Sequence, residues 1–116
     1  MYWGGPTGVA RRRPVNARDP ADPAYAWGRY DELVRRAAKS RIKMVFSIFA
    51  TPGWANGGKA INRAPRNMLE LRNFAYAAAK RYSGTYVPPQ VGTQRKQEVV
   101  LPLPAVRHWM AWNEPN

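Results

Sequence analysis

Apolar residues recur at three- and four-residue steps in two stretches of this chain and run almost unbroken in two others. Tyr30, Leu33, Val34, Ala37 and Ala38 share one helical face through about Ser40. Asp22-Pro23 stands ahead of them, an acid at the N-cap and a proline in the first turn, and predicts that a helix opens there. Met44 to Phe49 follows, nearly continuous in apolar character and β-prone, which predicts a strand covered on both faces. Thr51-Pro52-Gly53-Trp54 ends that strand. Asn67, with Glu70 three residues on, resembles a capping box with Asn in place of Ser or Thr. Leu71, Phe74, Ala75, Ala78 and Tyr82 trace a second helical face, and Gly84 supplies its stop. A last strand is expected from Val106 to Asn113.

The intervening segments are rich in turn residues. Residues 1–23 hold Gly4-Gly5-Pro6, Pro14, Pro20 and Pro23, and read as loop apart from a strand stub at Met1–Trp3. Residues 55–66 are loop, and residues 85–106 form a long connection through Pro88, Pro89, Pro102 and Pro104. Buried strands alternating with amphipathic helices indicate a parallel α/β architecture. At 116 residues the chain is one domain at most, or a piece of one.

Composition changes this picture little. An apolar fraction of 45% is enough for a core and argues against disorder. No run approaches the roughly 18 apolar residues of a membrane span, and Met1–Pro6 carries no secretory pattern. With no cysteine, disulfides and thiolate metal sites are excluded. Formal net charge is +12, which can mark a binder of nucleic acid or acidic glycan. The bases are scattered, however, from Arg11–Arg13 through Arg35/Arg36/Lys39, Arg63/Arg66 and Lys80/Arg81 to Arg95/Lys96. A diffuse solvated surface accounts for them better than a dedicated polyanion site.

The chemistry concentrates at Trp109-Met110-Ala111-Trp112-Asn113-Glu114-Pro115-Asn116. An apolar strand that breaks off in Asn-Glu-Pro delivers one carboxylate to a strand end, because the proline cannot continue the ladder. Trp112-Asn113-Glu114-Pro115 resembles the strand-four signature of clan A glycoside hydrolases, the retaining (β/α)8-barrel enzymes that include families 5 and 39. Three further stretches resemble the same group in the right order: Arg12-Arg13-Pro14 through Tyr25, Thr51-Pro52-Gly53-Trp54-Ala55, and Phe74-Ala75 through Lys80-Arg81-Tyr82-Ser83-Gly84, the last like helix three of bacterial cellulase-like members.

This resemblance implies a partial TIM (β/α)8 barrel running from late strand two to the end of strand four. Residues 1–116 would then be an incomplete glycoside hydrolase catalytic domain, since a whole barrel needs about 200 residues or more. It implies Glu114 as general acid/base and Asn113 as hydrogen-bond partner of the sugar 2-hydroxyl, with a carbohydrate substrate and no cofactor or metal. Thr51 and Trp54 are the candidate substrate-binding residues; Trp54 can stack on a pyranose or serve as a core residue at a strand end. Retaining hydrolysis needs a second carboxyl group about 5–5.5 Å from the first. In the family it lies on strand seven. None of Asp19, Asp22, Asp31, Glu32, Glu70 or Glu98 fits that place, so the chain alone is expected to be inactive. Many clan members also carry a histidine near the end of strand three, where this chain has Phe49-Ala50-Thr51.

Other roles weigh against these. Glu114 can be a plain turn residue, Trp109 and Trp112 point to opposite faces and read chiefly as core, and His108 reads as a packed or hydrogen-bonded residue. The rival functions are a small cationic module for nucleic acid or acidic polysaccharide, and a decayed frame without function. Exposed strand edges predict self-association, and no helical segment suggests a membrane.

Overall fold

Asp22 does not open the first helix. Its carboxylate accepts hydrogen bonds from the backbone N–H of Asn16 and of Ala24, both at 2.8 Å, and so folds a tight loop instead. Helix α1 spans Gly28–Lys39, with Trp27 at its N-cap and no side-chain cap. Its buried stripe is Tyr30, Asp31, Val34 and Ala37, while Leu33 is 44% exposed. The buried stripe is therefore rotated from the one the apolar pattern predicts, and an aspartate stands inside it.

The computed structural model describes residues 1–89 and 101–110. After α1 come strand β1 (Val45–Ser47), a one-turn helix α2 (Gly53–Asn56), helix α3 (Met68–Arg81) and strand β2 (His108–Met110). Helix α3 starts where its cap predicts: Asn67 Oδ1 accepts from the N–H of Leu69 at 3.0 Å. The carboxylate of Glu70 does not close the reciprocal box. It pairs with Arg13 at 2.7 Å. α2 falls where loop was expected; Gly57, at φ 73°, closes it in the left-handed region that a glycine occupies without strain.

β1 and β2 pair in parallel, in the register Val45↔His108, Phe46↔Trp109 and Ser47↔Met110. On its other side β1 runs on to a single parallel bridge between Phe49 and Tyr2, so the Met1–Trp3 stub does join the ladder. Trp3 and Gly4 donate their N–H groups to the carbonyls of Phe49 and Ala50, at 2.8 and 2.6 Å.

The expected partial (β/α)8 barrel is not what forms. Among the described residues there are three helices and only two parallel strands, each three residues long, in one two-stranded sheet. The expectation that β1 is covered on both faces fails as well. Val45 is 58% exposed whereas Phe46 and Ile48 are buried, a period-two alternation with a single packed face. The apolar run of 44–49 suits a two-sided strand, but among the described residues little lies over the Val45 side.

Aromatic rings dominate the core between the ladder and the long helices. Phe74 of α3 lies between Trp3 and Trp27, stacked on both with ring centroids 5.8 Å apart. Tyr82 continues the series toward Phe46 and Trp109, at 5.7 and 6.4 Å. Large flat groups let a small domain bury much apolar area with few residues.

Candidate functional site

In a parallel ladder all strands end on the same side. β1 leads through Phe49 to Ala50 and Thr51, the stub leads to Trp3 and Gly4, and Met110 closes the described part of β2. Asn113 and Glu114, together with Trp112, fall outside the described residues. The rim itself is tightly built. Ala50 has φ 69°, a left-handed conformation unusual for a residue with a Cβ, and it is buried. Beside it Gly4 comes so close to Pro52 that an added Cβ would lie 2.4 Å from the proline backbone. Strain of this kind is kept where surrounding structure enforces it, and it clusters at functional sites.

Thr51 is fully buried. Its N–H donates to the carbonyl of Ile61 at 2.8 Å, and its hydroxyl has no partner among the described residues. Trp54 is half-buried. Its indole N–H donates to the carbonyl of Ala10 at 2.9 Å, its ring meets the ring of Trp3 edge-on, and the Arg13 guanidinium lies 4.8 Å from its ring centre. Arg13 also donates to the Trp54 carbonyl at 2.8 Å and pairs with Glu70. Trp3, Arg13, Trp54, Glu70 and Asn73 border a cavity of about 150 Å³. Thus Arg13 and Trp54 meet in one aromatic, charge-lined corner, whereas Thr51 is sealed in the packing behind the rim.

His108 is exposed in β2, and Trp109 is partly buried, with its indole N–H donating to the carbonyl of Val106 at 2.9 Å. Among the described residues no three His, Asp or Glu side chains gather as metal ligands, and no helix is long and apolar enough to cross a membrane.

The most highly organised polar group was not singled out from sequence. Arg81 reaches back across the core to Asp31, with Nε at 2.9 Å and a terminal nitrogen at 2.7 Å from the two carboxylate oxygens. The Tyr82 hydroxyl donates to the same carboxylate at 2.8 Å. Burial, then the Asp31 charge and its hydrogen bond, push the Tyr82 phenol far above its ordinary value. A fork-on-fork pair of this kind fixes the mutual orientation of α1 and α3. The signal for it was spacing: Trp27, Asp31 and Val34 lie at four- and three-residue steps, on the face that Trp27 buries.

No protein-family model, no curated protein and no solved structure matches this chain.

Proposed function

We propose that the chain carries part of the active site of a retaining glycoside hydrolase acting on β-linked oligo- or polysaccharides. Glu114 is its acid/base, and Asn113 is the partner of the sugar 2-hydroxyl. One observation carries the reading. Met110, the last described residue ahead of Asn113-Glu114, pairs in parallel with Ser47, three residues before the strained Ala50 and four before Thr51. The described strand ends that lead toward Thr51 and toward Asn113-Glu114 therefore run side by side in the same direction.

A second carboxylate is needed for a covalent intermediate, and the described acids are committed elsewhere. Asp19 accepts from the N–H of Ala21 at 2.9 Å, Asp22 holds its own loop, Asp31 is locked to Arg81, Glu32 pairs with Arg36 at 2.6 Å, and Glu70 pairs with Arg13. The chain alone should therefore bind substrate without turning it over. Titration with cellopentaose, followed by tryptophan fluorescence, tests this. Saturable binding is expected, weakened by Asn113→Ala and by Glu114→Gln, with no release of nitrophenol from aryl β-glycosides. Failure to bind, or binding indifferent to both substitutions, removes the proposal.

A second reading, a polyanion-binding module, is favoured by the formal net charge of +12 on a chain of 116 residues. Retention on heparin that falls steeply with salt, together with no cellopentaose binding, would select it.

A further inference from the structure

A second cavity lies away from the rim, between the C-terminal half of α1, the turn into β1 and the stretch that leads into β2. Its volume is about 330 Å³, within the range of small-molecule sites. Val34, Met44 and Val106 form its apolar floor. Around its mouth stand Lys43, Arg107 and His108, all exposed, and no acidic residue lines it among the described residues.

The turn that builds the mouth is specific. Arg41 adopts φ 56°, and its N–H donates to the carbonyl of Ala38 while that of Ile42 donates to the carbonyl of Ala37. This double closure is a Schellman end. It has two effects on the cavity. It occupies two helix-terminal carbonyls that would otherwise repel an anion, and it holds Ile42, 62% exposed, at the entrance with Lys43 beside it.

We propose that this cavity is a binding site for an aliphatic monocarboxylate, the tail on the apolar floor and the carboxylate between Lys43 and Arg107. Charge complementarity selects the head: the mouth offers an ammonium and a planar guanidinium that can take a carboxylate on two donors. The lining selects the tail. Among the described residues no Trp, Tyr or Phe borders the cavity to stack a sugar or a nucleobase, whereas branched and thioether side chains suit a flexible hydrocarbon. This site is independent of the glycosidase reading and lies against different residues.

His108 is the only histidine in the chain, and it borders the cavity. Its ring protons therefore report on the site by NMR without ambiguity in untagged protein. Decanoate below its micellar concentration is expected to shift them saturably. Decanol, with the same tail and no charge, should bind about tenfold more weakly, and acetate should produce no saturable shift. Arg107→Gln should weaken decanoate about tenfold. Ala38→Trp, at an exposed helix position on the cavity wall, should abolish binding while leaving the thermal transition intact. Equal affinities for decanol and decanoate would overturn the proposal. So would unchanged decanoate binding in Ala38→Trp, or His108 shifts with a heparin oligosaccharide and none with decanoate, which would mark a polyanion surface instead.

Discussion

At the scale of single residues, the buried acids Asp22 and Asp31 act as internal fasteners of this basic chain. Burial raises the Asp22 carboxyl, but backbone N–H bonds from Asn16, Ala24 and Val15, and the Arg12 charge, outweigh it and hold the group below the usual carboxylate range. A carboxyl lowered in the folded state contributes stability above its unfolded pKa of about 3.9 and loses that contribution as pH falls through the folded value. Asp22→Asn should therefore be less stable than wild type near neutral pH, and the gap should close below about pH 4. Urea titrations at several pH values measure this; a gap that widens in acid would contradict it. Asp31 and Arg81 offer a stronger case, because their side chains are only 11% and 9% exposed. Arg81→Met strands a carboxylate in the core and should cost about 3–5 kcal/mol. The double variant with Asp31→Leu should cost clearly less than the two single losses combined, as a double-mutant cycle in denaturant would record.

At the scale of elements, the ends of the helices carry more specificity than their propensities. Asn67 caps α3 with its own side chain, while Glu70 leaves the capping pattern to meet Arg13 from the N-terminal loop. At the other end of α1, Arg41 occupies a left-handed position that favours glycine. Its Cβ is strained there, and a glycine would relieve about 1 kcal/mol, offset in part by greater freedom of the unfolded chain. Arg41→Gly is expected to raise the midpoint of urea unfolding slightly. A loss greater than about 1 kcal/mol would mean that the arginine side chain itself holds the turn.

At the scale of the whole molecule, one face of the small ladder stays open. Val45, Met110 and Ile42 are 58%, 49% and 62% exposed, and no other described strand pairs with the free edge of β2. An exposed apolar face beside an unpaired strand edge favours association between copies. The charge of +12 opposes it, and salt screens that opposition over about 10 Å at 0.1 M. Light scattering at rising salt should therefore show growing assemblies, and Val45→Lys should suppress them. A monomer at all salt concentrations would show that the open face is harmless.

The local signals in the chain determined both long helices, the Asn67 cap, the strand at 45–47 and the strand that includes 108–110. Each depends on neighbours three or four residues away, or on two-residue alternation, which a linear pattern records directly. Helix α1 illustrates the boundary: its periodicity was legible, but Asp22 was free to serve either as a cap or as a loop fastener, and only the nearness of Asn16 decided between them. The motif at Asn113-Glu114 lies outside the described residues, so the chemistry expected of it rests on the sequence alone. The tertiary structure decided that Val45 faces outward, that Thr51 is sealed, that Trp54 is held against Arg13 and Ala10, and that Asp31 finds Arg81 fifty positions away. It also replaced the expected barrel segment with a two-stranded ladder flanked by helices. Apolar runs state what must be buried; which faces meet, and how many strands gather, depends on long-range packing that no local pattern carries.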